Sequence, residues 1–542
     1  MKRRKHLTAL LCALALVISL SPAASAAAAP EASNNANRMS LFDPLNGDPH
    51  SAASYLYANS KGGVTRVEYR RVKQTDAIDS YVLVEEYNRS FQLVTSRKLP
   101  MELFMWGGFF AGSTYNFLIF GQDNPQESDS VEVLRVVKYS KDWQRLGEAS
   151  FYGKDTKEPF AFGSFQCAEY GDHLAIHTCH TMYKARDGLN HQACMNLIIQ
   201  ESTMTENIRS GKLCYVSHSF DQYIMADQGG NVITVDLGDG HPRGVELHKV
   251  AAFAEKLARE ETILIDIPGK TGDNSTGISV GGLAETGGSY VTLFTKGVQK
   301  TEKCFAGDRD IILAYTDKNT LASRLVNVTA NAPKLDKDYR FYLGTPLLVP
   351  TGLSGGYILW SGYADCEDNG TLYYAAYSDN GTIGPIQTAK GFLSDCQPVL
   401  FNGKLTWYAT KESTPVFYTL DASGVKAVKA ASAPGAAELP RVEKSSVPAP
   451  GTPEPCAAEP AATTSRTGPQ KTVAVPELRC AGCGYLMAKE GERRVIDLNN
   501  GNAPGGHFFY CAKCNSFAYC QPCANKPGTE AKYLQHENAC QG

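Results

Sequence analysis

Between residues 81 and 429 the chain repeats one local pattern, and that repetition limits the folds open to it. Residues 81–98 read YVLVEEYNRSFQLVTSRK. Related stretches are LRVVKYSKDWQRLGEAS (134–150), VITVDLGDGHPRGVEL (232–247), IILAYTDKNTLASRLV (311–326), LYYAAYSDNGTIGPIQT (372–388) and FYTLDASGVKAVK (417–429), with a weaker copy at 195–208. Each joins a β-rich run to a second extended run through a tight polar turn such as Asp239-Gly240 or Asn380-Gly381, which is a hairpin signature. Most copies follow another pair of runs, a small-residue strand, a Gly turn and an apolar strand. GGFFAGSTYNFLIFG (107–121), GGLAETGGSYVTLFT (281–295) and LLVPTGLSGGYILWSG (347–362) are examples. Four strands per unit, repeated about seven times, predict a mainly β chain with a β-propeller of about seven blades over residues 61–429. A pair of stacked β-sandwiches is the competing architecture, but it uses fewer strands than these units supply. Val250, Phe253 and Leu257 mark one apolar face, so the insertion at 247–262 is expected to carry a helix.

The ends of the chain are of different character. MKRRKH is followed by fourteen apolar residues and SPAASA, the pattern of a secretory signal peptide over residues 1–26 with cleavage after Ala26. The apolar run is too short to span a membrane as a helix, and no transmembrane segment is expected in the mature chain. Residues 27–60 read as an N-terminal leader. Residues 430–476 are rich in Pro, Ala, Ser and Thr without apolar periodicity, which predicts a disordered linker.

Residues 477–542 hold Cys480, Cys483, Cys511, Cys514, Cys520, Cys523, His536 and Cys540. They form three Cys-x2-Cys pairs and one His-x3-Cys pair. A Cys-x2-Cys turn presents two thiolates from one knuckle, so four such pairs predict two closed, structural zinc sites. Disulfides are the competing chemistry in an exported chain, but seven cysteines would leave one unpaired. YCAKCNSFAYCQPC resembles the cross-braced zinc modules of the ZZ and RING-like class. That resemblance implies one ion on Cys480, Cys483, Cys520 and Cys523, and a second on Cys511, Cys514, His536 and Cys540. Similarly, FLIFGQDN, VVKYSKDW and HTMYKARDGLNHQA, with the export signal, resemble propeller-like modules of secreted and cell-surface bacterial proteins. That resemblance implies location and fold, and no reaction.

Other cysteines and histidines fall inside the propeller. In HTCHTMYKARDGLNHQACM a turn at 185–188 sets Lys184 opposite Leu189 and Cys179 opposite Cys194, a candidate disulfide. Cys366 and Cys396 are a second candidate pair. His177 shares the face of Cys179 and Cys194, and His180 shares the other with His191. These histidines, with His173, are expected to be structural, since no nearby carboxylate completes a ligand set. The Asp187-Gly188-Leu189-Asn190 loop could bind calcium, but a plain turn explains it as well, and Asp365, Glu367, Asp368 and Asp395 read as a solvated acidic rim, with a cation site as the lesser alternative.

With the signal peptide removed, Lys and Arg number 49 against 56 Asp and Glu, a net charge of −7. An acidic chain without a basic block is not expected to bind nucleic acid. Two functions are in contention. One is an exported, non-catalytic binding protein whose propeller recognises an extracellular protein or polysaccharide, with the zinc module as a tethered second head. The other is a glycan-cleaving enzyme with carboxylates in the propeller funnel. Trp106, Trp143, Trp360 and Trp407 would stack on sugars if they reached a rim, but core packing is their ordinary role.

Overall fold

The computed structural model describes residues 51–439, apart from 75–76, 274–275, 298–308, 331–340, 365–366 and 412–413, together with four short strands nearer the C-terminus. The chain divides into two compact units, Met1–Ser446 and Val447–Gly542. The first is a seven-bladed β-propeller. No described helix is long and apolar enough to cross a membrane.

Blade 1 holds β1 (Ser54–Ala58), β2 (Val64–Gln74), β3 (Ala77–Tyr87) and β4 (Gln92–Pro100). Blade 2 holds β5 (Met105–Ala111), β6 (Asn116–Gly121), β7 (Glu132–Tyr139) and β8 (Arg145–Tyr152). Blade 3 adds a short β9 (Thr156–Pro159) to β10 (Gln166–Tyr170), β11 (His173–Lys184), β12 (Asn190–Gln200) and β13 (Thr205–Glu206). Blade 4 holds β14 (Ser219–Ala226), β15 (Val232–Gly238), β16 (Gly244–Val250) and β17 (Arg259–Asp266). Blade 5 holds β18 (Ile278–Glu285), β19 (Ser289–Gly297), β20 (Arg309–Asp317) and β21 (Ser323–Asn327). Blade 6 holds β22 (Phe341–Leu343), β23 (Leu347–Gly352), β24 (Gly355–Ala364), β25 (Glu367–Ser378) and β26 (Gln387–Lys390). Blade 7 holds β27 (Val399–Phe401), β28 (Lys404–Lys411), β29 (Thr414–Asp421) and β30 (Gly424–Lys429). Within each blade neighbouring strands pair antiparallel.

Each blade buries both faces, so its middle strands carry apolar side chains on both sides rather than alternating with polar ones. Strands β6 and β15 are buried along their whole length. The apolar clusters lie between consecutive blades: Val84 and Leu99 meet Trp106 and Phe120 between blades 1 and 2, and Leu237 and Leu247 meet Tyr290 and Phe294 between blades 4 and 5. Inner strands approach closely because the sequence puts glycine there. A Cβ on Gly108 of β5 would run into the Phe165 ring at the start of blade 3.

The ring closes by joining blade 7 to blade 1. Phe91 stacks on Phe417 with ring centroids 4.6 Å apart, and Tyr87 meets the same ring edge-on. Asp395, just before β27, accepts the Ala53 amide at 2.6 Å just before β1. A further strand, β31 (Ala431–Glu438), pairs parallel with β4 on the outer edge of blade 1. Blade 1 thus begins inside the stretch read as a leader, and β31 lies inside the stretch read as a linker.

Residues 247–262 do not form the expected helix. They supply the end of β16, a turn, and the start of β17, with Val250 opposite Arg259. The helical spacing of Val250, Phe253 and Leu257 is overridden because blade 4 needs its third and fourth strands here. Phe253, in the turn, stacks on Tyr170 of blade 3 at 5.1 Å.

In the second unit β32 (Gln470–Ala474) pairs antiparallel with β35 (Arg493–Asp497), and β33 (Leu478–Arg479) with β34 (Leu486–Ala488). The expected zinc ligands Cys480, Cys483, Cys511, Cys514, Cys520, Cys523, His536 and Cys540 lie outside the described residues, as does the expected signal peptide.

Candidate functional site at the seam of blades 3 and 4

The histidine-rich hairpin of the sequence is β11–β12, and Cys179 stands opposite Cys194 as its register predicts. The turn itself differs. Lys184 pairs with Asn190, and an irregularity between Thr181 and Lys184 restores the expected register farther down. Both cysteines are free thiols. They do not join because they turn to different neighbours. Cys179 donates to the Ala161 carbonyl at 3.1 Å over Gly163, where a Cβ would occupy the space of its sulfur. Cys194 instead lies 3.8 Å from Cys214, which the loop before β14 brings in. Cys396 is a buried free thiol, and Cys366 lies outside the described residues.

The four histidines separate. His173 packs on Phe253 with centroids 4.9 Å apart. His180 bonds Thr156 Oγ1 through Nδ1 at 2.7 Å, and burial pushes its imidazole down to about 4. His191 lies at the surface, its Nε2 2.6 Å from Asp187 Oδ2. His177 is fully buried and meets a carboxylate from the next blade. Its Nδ1 donates to Asn196 Oδ1 at 2.8 Å, and its Nε2 lies 3.0 Å from Asp236 Oδ2 on β15.

Around this pair the seam is polar and buried. Ser219 Oγ donates to Asp236 Oδ1 at 2.6 Å, and Gln222 Nε2 donates to Ser219 Oγ at 2.7 Å. Cys214 Sγ is 3.9 Å from Asp236 Oδ2. His177, Cys214 and Asp236 each place a donor atom within 4.8 Å of the others, the one such mixed group among the described residues. Burial opposes a charge on His177, but the Asp236 carboxylate overcomes it and lifts the imidazole to about 9. Burial likewise opposes ionisation of Asp236, yet the His177 charge and the bonds from His177 and Ser219 hold its carboxyl below the usual range. The bond between the two thiols pushes Cys194 well up and holds Cys214 down. On β16, burial and then the nearby Asp236 raise Glu246 to about 8.

Sequence reasoning missed Asp236, Cys214 and Glu246 as members of this group. One signal was present: Asp236 is a lone acid inside VITVDLG, a strand otherwise free of charge.

Above the seam, loops of both blades meet. Ala193 bridges Ser217, the His218 amide bonds Gln192 O at 2.8 Å, and the Asp239 amide bonds His218 O at 3.2 Å. The connections of these blades expose Phe162, Leu189 and Tyr215 by 51%, 61% and 63%. This rim also carries two imidazoles, each backed by a carboxylate. His218 Nδ1 is 3.0 Å from the buried Asp239, His191 is held by Asp187, and the two rings are 6.1 Å apart. Phe162 and His218 adopt left-handed backbone angles, φ 58° and 56°, a costly conformation that concentrates at functional sites. The Asp187 loop is a turn, with its carboxylate engaged by the Leu189 amide as well as by His191.

The tryptophans and Asp395 are structural. Trp106, Trp143, Trp360 and Trp407 are buried in the propeller and do not reach a rim. Asp395 is a buried latch rather than a solvated rim residue, as the bond from Ala53 requires. Asp221 has the same role between blades 4 and 5, accepting the Val280 amide at 2.9 Å. Glu367 and Asp368 begin β25, and Asp365 lies outside the described residues.

No family model matches the chain, and no curated protein matches it. Solved structures do. An endo-arabinase from Bacteroides thetaiotaomicron is 14% identical, over 55% of this chain and 97% of its own, with a TM-score of 0.27. A functionally unknown protein from Desulfotomaculum acetoxidans is 10% identical, over 65% and 96%, with a TM-score of 0.36. An α-L-arabinanase from Cellvibrio cellulosa, solved with arabinohexaose, is 12% identical, over 63% and 96%, with a TM-score of 0.29. At these identities the likeness is one of fold alone.

Proposed function

We propose that this chain is an exported binding protein whose propeller recognises an extracellular polysaccharide at the rim over blades 3 and 4. The carrying observation is a pair of carboxylate-backed imidazoles 6.1 Å apart, on loops of blades that also expose Phe162, Leu189 and Tyr215. Sugar rings offer apolar faces to aromatic side chains and hydroxyls to imidazole and carboxylate groups, and this rim supplies both. The rim lies on loops carried by a rigid β-scaffold, the ordinary place for recognition. The C-terminal cysteine-rich segment is in this reading a tethered structural zinc module. A glycan array probed with the full mature chain tests the proposal. Binding that Tyr215→Ala and Phe162→Ala abolish supports it, and an array without signal overturns it.

Cleavage is the second reading. Two imidazoles, each oriented by its own carboxylate, could supply general acid and base at one rim. The same panel, assayed for new reducing ends, separates the two. Release of reducing ends that His218→Gln removes would make the protein a hydrolase, and binding without release keeps it a recognition module.

A further inference from the structure

We propose that the seam of blades 3 and 4 is a site for one zinc-class divalent ion, held by His177 Nε2, Cys214 Sγ and Asp236 Oδ2. It stands independently of the polysaccharide reading and concerns residues beneath the rim. These are the donor types that zinc takes, one imidazole nitrogen, one thiolate and one carboxylate oxygen. With bonds of about 2.0–2.3 Å at tetrahedral angles, donor atoms on one ion stand roughly 3.3–3.8 Å apart. The observed edges are close: 3.0 Å from His177 Nε2 to Asp236 Oδ2 and 3.9 Å from that oxygen to Cys214 Sγ. Small side-chain shifts would seat an ion among them.

The surrounding shell fits the same reading. A metal-ligating histidine ordinarily donates its other ring N–H, which fixes the tautomer and turns the free lone pair to the ion. Here Asn196 Oδ1 accepts from His177 Nδ1, leaving Nε2 as ligand. Ser219 bonds Oδ1 of Asp236 and leaves Oδ2 turned to the group. Cys194 is a positioning residue: its thiol lies 3.8 Å from that of Cys214. Charge also balances, because one carboxylate and one thiolate neutralise a divalent ion in a buried site. Nearby, Glu246 Oε1 and His248 Nδ1, both buried, have no hydrogen-bond partner among the described residues.

Two measurements on the full chain decide the matter. Crystals grown with zinc and measured at the zinc absorption edge should show an anomalous peak between His177, Cys214 and Asp236. No peak there, or a Cys194–Cys214 disulfide in its place, overturns the proposal. By elemental analysis, Cys214→Ser and Asp236→Asn should each carry one zinc equivalent less than the wild-type chain, while Cys194→Ser keeps it. Because the loss is counted against the wild type, zinc held by the C-terminal cysteines cancels. Equal content in all four proteins overturns the proposal. Should either ligand variant fail to fold, the crystal measurement still decides.

Discussion

The seam that closes the ring, between blades 7 and 1, and the seam between blades 3 and 4 both bury ionisable groups, but they treat them differently. At the closure Arg66 is wholly buried. Its guanidinium bonds Glu68 and Glu85 at 2.5 Å each and lies over the Tyr408 ring, while Tyr408 donates to Glu68 at 3.1 Å. Tyr87 donates to Glu85 at 2.5 Å and packs on Phe417, which Phe91 stacks upon. The seam of blades 3 and 4 has no arginine among the bonded groups described above. It has an imidazole, a carboxylate and two thiols in contact with one another. A seam that only needs to hold uses strong, complementary ions in a fixed fork. A seam built from soft and titratable donors has the composition of a site.

The sharpest way to break this comparison is Arg66→Ala. Removing one partner of a buried ion pair leaves the other uncompensated, at a cost of about 3–5 kcal/mol. Urea denaturation should show this as a large fall in midpoint, and an unchanged midpoint would mean that the closure does not depend on Arg66. Next in size is a pH effect at Asp395. Burial, opposed by the Ala53 amide, raises its carboxyl to about 7. Between the ordinary carboxylate range near 4 and pH 7 the folded state therefore holds a proton that the unfolded chain has lost. Stability should fall as pH rises through that window, by up to about 1.4 kcal/mol per unit, and level off above it. Asp395→Asn keeps the acceptor for Ala53 and should remove that slope, measured as the pH dependence of the denaturation midpoint.

At the other seam Asn196→Ala takes away the acceptor of a buried imidazole N–H, worth about 1–3 kcal/mol. A smaller loss than at Arg66 would sharpen the contrast, and an equal loss would erase it. Smallest of all is Tyr215→Ala on the exposed rim, which should alter stability by no more than about 0.5 kcal/mol. Its effect belongs in a binding assay, and a large loss of stability would show that Tyr215 is a packing residue.

Much of the fold was legible because hairpins are local. Runs such as YVLVEEY, the Gly and Asn turns, and the count of four strands per unit follow from neighbouring residues alone, and each of the quoted copies forms paired strands. The register of Cys179 and Cys194 survived a turn read one residue wrong, because the irregularity at Thr181–Lys184 absorbed the shift. The helix expected at 247–262 failed for the opposite reason. Apolar spacing of three and four residues is weak evidence where the sheet beside it lacks two strands. The candidate site was half legible. His177 and Cys194 lie on one hairpin, and their shared face could be counted off. Asp236 comes from another blade and Cys214 from the connection between the two, and no local rule places them there. The four tryptophans are buried, in line with their expected core packing, whereas the exposure of Tyr215 and Phe162 was beyond the sequence.

The latch from Asp395 to Ala53 joins residues 342 positions apart. A chain emerging from the ribosome therefore makes blade 1 first and its partner face last. Until blade 7 exists, Leu56, Val64, Tyr87 and Phe91 have nothing to pack against, and the nascent protein must travel most of its length with that greasy flank bare.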